Sequence, residues 1–284
     1  RALAPLMSLF EPGQEPGPAL QAMLMIGDPR AVDLLLERFD AMDPRGREVA
    51  LYVIVGFGGQ RAFERALECF SDPNRLVQGT AIRAMRTFRE PAELDRSIPA
   101  LVEAAASSLI GLGPRRAAVQ TLGKLNDPRA IDALVAASAA TPGPPAWEET
   151  VELFGRLRED AVWALSWFDD PRAHAALVRA LADERIGVRD YAAQGLAHSK
   201  NRASIGPLLA ALDDETPKVR AAAAKTLIEV AGAEAVELLI GVLEEQGRSE
   251  GARDEAAYTL REITGQDFGV DPGPWRAWQG RAGE

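Results

Sequence analysis

The feature that most constrains this chain is a repeat. A short turn followed by a helical apolar pattern recurs along nearly its whole length. The dipeptide Arg-Ala follows a turn at Arg30-Ala31, Arg61-Ala62, Arg129-Ala130, Arg172-Ala173 and Arg202-Ala203. Three copies are preceded by Asp-Pro, at Asp28-Pro29, Asp127-Pro128 and Asp170-Pro171. Proline stops the preceding helix and suits the first turn of the next. Aspartate is a good N-cap, because its carboxylate accepts from the free amides of that turn.

Aligned on these turns, the following helix shows four apolar columns. The first reads Val32, Phe63, Ile98, Ile131, His174, Ile205, Val236. Three residues on stand Leu35, Ala66, Leu101, Leu134, Leu177, Leu208, Leu239, and directly after them Leu36, Leu67, Val102, Val135, Val178, Leu209, Ile240. The last column is Phe39, Phe70, Ala105, Ser138, Leu181, Leu212, Leu243. The i, i+3, i+4, i+7 spacing puts all four on one helix face. Val32 to Phe63, His174 to Ile205 and Ile205 to Val236 are each 31 residues apart, which points to a true repeat.

A second helix precedes each turn, clearest in Val188–Leu196 and Val219–Leu227, with weaker copies at Arg47–Ile54, Arg115–Leu122, Arg158–Leu165 and Arg253–Leu260. Its alanines allow close approach. Neither helix can bury its stripe alone, so the pairs must stack. The stretch Asp213–Ala224 (Asp-Asp-Glu-Thr-Pro-Lys-Val-Arg-Ala-Ala-Ala-Ala) resembles the HEAT-repeat consensus, particularly the short PBS-lyase type. The resemblance implies an all-α fold, an α-α superhelix or HEAT-like helical-repeat solenoid, with about seven to eight helix pairs in one array over residues 1–284. It also implies a ladder between an aspartate ending one repeat and an arginine opening the next. Asp183 to Arg189 and Asp214 to Arg220 keep that spacing, whereas Asp72 meets Gln78, where the ladder breaks. TPR and ankyrin signatures are missing.

Three segments depart from the period. Glu11 to Pro18 is rich in proline and glycine and reads as an irregular lead-in. Arg89 to Ser97, with Pro91, reads as a longer connection. The proline-rich stretch 141–146 reads as an insertion loop that stretches Ile131 to His174 to 43 residues. Residues 265–284 resemble a tail that closes bacterial HEAT-repeat proteins. There Phe268, Trp275 and Trp278 are expected to cover the last apolar stripe, since a terminal repeat needs a cap.

Composition narrows the function. With 32 Lys and Arg against 42 Asp and Glu, the net charge is -10, which disfavours nucleic acid and anionic membranes. No apolar stretch is long enough to span a membrane. The chain begins at Arg1 without methionine, so an upstream segment is expected to have been trimmed. Localisation therefore stays open between a soluble cytoplasmic chain, the favoured reading, and an exported form with its signal removed.

Catalytic constellations are scarce. There are two histidines and one cysteine, with no His-Glu-x-x-His, P-loop or Gly-x-Ser-x-Gly motif. HEAT-like diiron hydroxylases need several His-Glu metal motifs, which this chain lacks. Gly56-Phe57-Gly58-Gly59 falls at a helix-to-helix turn and follows no strand. Cys69 reads as an inert, partly buried thiol, His174 as a half-buried histidine with a satisfied ring, and His198 as a turn residue. No cofactor and no metal are expected.

The strongest functional signal is acid on the helix after each turn. Asp33, Glu64 and Asp132 (with Glu237) follow the first apolar column, and Glu37, Glu68 and Glu103 stand four further on. The resemblance puts this helix on the concave surface. Acid concentrated there steers a basic peptide or protein, although charge on an outer face also serves solvation alone. The expectation is a non-catalytic scaffold or adaptor that binds a protein or basic peptide through Asp33, Glu37, Glu64, Glu68, Glu103 and Asp132. The alternative is an enzyme or enzyme subunit resembling the tetrapyrrole-handling phycobilin lyases.

Overall fold

A computed structural model describes residues 3–11, 13–108, 110–143 and 147–282. Pro144, Pro145 and Ala146 of the expected insertion loop, and the last two residues of the expected tail, lie outside the described residues. Among those described there is no strand, and the fold is an all-α helical-repeat solenoid. The chain divides into two compact units, residues 1–137 and 138–284.

The first unit contains α1 (Leu3–Met7), α2 (Gly17–Ile26), α3 (Arg30–Arg38), α4 (Pro44–Phe57), α5 (Gln60–Glu68), α6 (Arg75–Ala84), α7 (Pro91–Ala106), α8 (Leu112–Leu125) and most of α9 (Ile131–Ser138). The second contains α10 (Glu148–Leu165), α11 (Pro171–Ala180), α12 (Ile186–Ser199), α13 (Ile205–Ala211), α14 (Pro217–Ala231), α15 (Ala235–Glu244), α16 (Glu250–Thr264) and α17 (Pro272–Ala282). In each unit the even-numbered helices pack on one another in sequence, and α2, α4, α6, α8, α12, α14 and α16 each pack on the odd-numbered helix that precedes them.

Each residue of the Asp-Pro-Arg-Ala turn has a physical task. In the three copies the aspartate Oδ1 accepts the backbone amide two residues on: Arg30 (3.0 Å), Arg129 (2.9 Å) and Arg172 (2.8 Å). The same arginine folds its guanidinium back onto that carboxylate. These two bonds from Arg30 hold the Asp28 carboxyl down at about 2. The alanine that follows is fully buried: Ala31, Ala62, Ala130 and Ala173 are all 0% exposed. A larger side chain in that fully buried place would overpack it. The fifth Arg-Ala is offset by one. Ala203 is exposed, and Ser204 takes the buried place.

That small residue rotates the core stripe away from the expected one. The Leu35 column is buried in all seven copies. The Leu36 column is only half-buried except at Ile240, and Val32, His174, Ile205 and Val236 are half-buried as well. In the last column Cys69 is buried and Phe70 half-buried, because a 3-10 turn over Cys69–Ser71 brings in the earlier residue. The expected connection from Arg89 to Ser97 is largely helix: α7 begins at Pro91, with a capping box between Glu90 and Glu93. The lead-in also ends early, since α2 starts at Gly17.

The ladder is present, with a crossed geometry. Arg47 forks Asp72 (2.9 and 3.1 Å), Arg158 forks Asp183 (2.8 and 3.1 Å), and Arg189 forks Asp214 (2.6 and 3.1 Å). Each carboxylate therefore reaches the arginine 25 residues earlier. The arginine six residues later bonds the aspartate's backbone carbonyl instead, as Arg189 does at Asp183 (2.9 Å) and Arg220 at Asp214 (2.8 Å). At the break, Gln78 is buried and its Oε1 has no hydrogen-bond partner among the described residues.

In the second unit, α16 ends in a left-handed Gly265 (φ 70°) and the chain returns as α17 against α15. Trp275 is 0% exposed, its Nε1 donates to the Gly269 carbonyl (2.8 Å), and Phe268 meets its ring edge-on at 4.9 Å.

Candidate functional site

The acids singled out from the sequence all lie on the odd-numbered helices of the first unit. Asp33 and Glu37 stand on α3, Glu64 and Glu68 on α5, Glu103 on α7 and Asp132 on α9. Glu37, Glu64 and Glu68 come together. With Leu36, Arg61 and Arg65 they line a cleft of about 300 Å³ between α3 and α5. Asp33 borders this cleft through its ion pair with Arg61. Glu103 and Asp132 stand on later helices and do not line it.

Sequence reasoning missed the arginines that answer these acids. Beside the Asp33–Arg61 pair, Glu64 faces Arg96 (3.7 Å), Asp95 faces Arg129 (2.9 Å), and Arg65 sits between Asp40 (3.2 Å) and Glu68 (3.3 Å). Gln60 Nε2 also donates to Glu64 (2.8 Å). Arg65 and Arg96 lie over the rings of Phe39 (5.0 Å) and Phe63 (5.1 Å), which fixes them on the surface. Four of these pairs link one repeat to the next, and those of Asp33, Glu64 and Asp95 form a second, solvent-exposed ladder. The signal was in the sequence: an arginine 28 residues after Asp33 and 32 after Glu64, with a further one 34 residues after Asp95, outside the stripe. The face is thus an acid-rich mixture rather than a bare acidic stripe. Glu37 is exposed in the cleft and has no ion-pair or hydrogen-bond partner among the described residues.

The second unit shows how such acids hold a helix. On α15, Glu237 occupies the column of Asp33 and Glu64, and Glu244 stands two turns further on. Arg276 of α17 reaches both, with bonds of 2.6 Å to Glu237 and of 2.8 and 2.7 Å to Glu244. Gln279 adds a bond to Glu237 (2.8 Å). Hydrogen bonds from Arg276 hold both carboxyls below their ordinary range.

The groups with catalytic potential are occupied elsewhere. Burial pushes the Cys69 thiol up to about 12, so it carries no useful thiolate near neutrality. His174 Nε2 lies 2.8 Å from the buried Ser204 Oγ, which satisfies both groups. His198 is a correction: it lies within α12, not in a turn, and its ring rests 4.8 Å from that of Trp167. Among the described residues no group of three His, Cys, Asp or Glu side chains is placed to hold a metal ion.

Comparison with known proteins bears on the fold. The structure is similar to that of YibA from Escherichia coli, with a TM-score of 0.55 at 17% identity over 93% of this chain and 95% of that one. It is similar to an engineered protein with a TM-score of 0.50 at 16% identity, over 93% and 78% of the two chains. Human deoxyhypusine hydroxylase in complex with glycerol aligns at 20% identity over 85% and 98% of the chains, but its TM-score of 0.35 supports nothing about activity. A comparison with curated proteins finds no match. The model of the PBS lyase HEAT-like repeat matches residues 157–183, and that of HEAT repeats matches 67–150 and 180–261, more than half of the chain. The chain belongs to the HEAT-repeat family.

Proposed function

We propose that this chain is a non-catalytic scaffold that binds a protein or basic peptide on the odd-numbered helices of its first unit, the helices that line the concave side of HEAT stacks. The α3–α5 cleft is the centre of the surface, with Asp33, Glu103 and Asp132 flanking it. The supporting observation is Glu37. On a face where Asp33 and Glu64 are matched by arginines from the next repeat, this carboxylate stands unmatched among the described residues, in a cleft beside Glu64 and Glu68. An incoming guanidinium can complete it, in the way that Arg276 completes Glu237 and Glu244.

The PBS lyase HEAT-like match covers a single repeat and speaks for the repeat type, not for tetrapyrrole chemistry. The test is titration with a fluorescent, arginine-bearing helical peptide. Glu37→Lys/Glu64→Lys/Glu68→Lys should weaken binding at least tenfold, roughly the effect of reversing charges at a recognition site. Unchanged affinity would sink the proposal.

A further inference from the structure

The first unit carries a second charged surface, opposite in sign, on its even-numbered helices. Residues 73–89 and 104–126 contain Arg75, Arg83, Arg86, Arg89, Arg115, Arg116 and Lys124, and no Asp or Glu. They build α6, the turn after it, and α8, which pack directly on each other. In a chain of net charge -10 such a concentration is conspicuous. Elsewhere many arginines are matched, in the buried ladder, in the exposed ladder and in the Asp-Pro-Arg turns. Here Arg75, Arg83, Arg86, Arg89 and Lys124 are all exposed and have no carboxylate within ion-pair distance among the described residues. Arg83 reaches only the hydroxyl of Thr80 (3.1 Å), and Arg89 only the carbonyls of Arg86 (3.0 Å) and Lys124 (3.5 Å). The side chains of Arg86 and Lys124 have no polar partner among the described residues.

Beside these charges lies an apolar groove of about 380 Å³ between α4 and α6, lined by Tyr52, Val55, Gly56, Thr80, Arg83 and Arg86 among others. Tyr52 leaves 48% of its surface in solvent. Glu48 approaches Thr80 (3.4 Å) but is held by Arg45 at 2.7 Å, so it does not neutralise the arginine rim. The groove offers room for one apolar or aromatic side chain, and the rim offers guanidinium forks for carboxylates.

We infer that this surface binds an acidic peptide segment of a partner protein, with one aromatic or aliphatic residue anchored against Tyr52 and Val55 and carboxylates on Arg83 and Arg86. Neighbouring helix axes lie about 8–10 Å apart, a distance that roughly three extended residues span. The segment therefore carries its acids beside the anchor and about three residues along, where Arg89 and Lys124 stand. The apolar wall favours a peptide over nucleic acid, whose phosphates would leave the groove empty.

The test is fluorescence anisotropy at low salt, with the full chain and labelled Asp/Glu peptides carrying a single Phe, Leu or Ala at the anchor position. The Phe and Leu peptides are expected to bind, and the Ala peptide roughly tenfold more weakly. Arg83→Gln/Arg86→Gln and Tyr52→Ala should each cost roughly tenfold, while Arg83→Lys/Arg86→Lys keeps much of the affinity. Glu37→Gln, on the other face, should change nothing and so separates this surface from the α3–α5 cleft. Three results would overturn the inference: lysine versions of the peptides binding as well as the acidic ones, the double Gln variant retaining affinity, or a labelled oligothymidylate outcompeting the peptides with the same arginine dependence.

Discussion

Asp214→Asn tests the buried ladder most sharply. Arg189 and Asp214 each leave only 9% of their side chains exposed and are joined by bonds of 2.6 and 3.1 Å. Breaking a buried pair from one side costs about 3–5 kcal/mol, because the other charge stays behind. Here Arg189 keeps the carbonyls of Asp183 (2.9 Å) and Glu184 (3.2 Å), the Thr216 hydroxyl (3.3 Å) and the exposed Glu215 carboxylate (3.3 Å). Asparagine can still accept the Thr216 amide that Asp214 now accepts at 2.8 Å. The loss should therefore sit at or just below the bottom of the range, about 2–3 kcal/mol.

Urea unfolding followed by far-UV circular dichroism measures it, since urea does not screen ion pairs as a salt denaturant would. The cycle with Arg189→Met should recover most of the loss in the double variant, because both charges then leave the interior. A coupling below about 1 kcal/mol, or a double variant worse than the sum of the singles, would refute the reasoning. The acid limb gives an independent readout. Burial pushes the Asp214 carboxyl up, but its bonds to Arg189 and the Thr216 amide outweigh that and hold it below its ordinary 3.8. A depressed carboxyl stabilises the fold above its unfolded value, and that contribution is lost as pH falls through the lowered one. Asp214→Asn should therefore flatten the stability profile below about pH 4.

Other outcomes follow from the packing. Gln78→Met removes the unpartnered buried Oε1 and should raise the urea midpoint, by about 1 kcal/mol of stability. Gly195→Ala places a Cβ 2.7 Å from Ser166 Cβ and 3.3 Å from Leu177 Cδ2, so it should destabilise by about 1–3 kcal/mol despite alanine's better helix propensity. Cys69, raised to about 12 by burial, should react with a disulfide reagent at pH 8 at least a hundredfold more slowly than in urea, roughly the suppression that its low thiolate fraction implies. Trp275→Ala should loosen α17 first, seen as faster amide exchange in Pro272–Ala282 before any change in α12.

Much of the fold was legible because helix periodicity survives averaging over seven copies. The Leu35 column is buried throughout, as its spacing demands. The stripe's exact rotation was not legible, since it is set by the small residue before each column: Ala31, Ala62, Ser97, Ala130, Ala173, Ser204 and Ala235. An alanine at that place reads as neutral in a hydrophobicity pattern, whereas its small size is what lets the pair close. Pro91 misled for a related reason, because proline breaks a helix in its interior but starts one at its first position.

The candidate site was legible in half. The acids stand out by repetition, but the arginines that answer Asp33 and Glu64 come from the next repeat, 28 and 32 residues away, and only stacking brings them together. The basic face of α6 and α8 was hidden by the net charge of the whole chain, which averages a positive patch into a negative total. His198 was misplaced because α12 runs on to Ser199, beyond its last clear apolar position, Leu196.

Hydrogen–deuterium exchange with and without an arginine-bearing helical peptide tests the proposed binding role most directly. Protection should be confined to Arg30–Arg38 and Gln60–Glu68, the walls of the α3–α5 cleft, and should vanish in Glu37→Lys/Glu64→Lys/Glu68→Lys. Protection elsewhere that leaves these two helices unchanged, or protection that survives the triple substitution, would contradict the account.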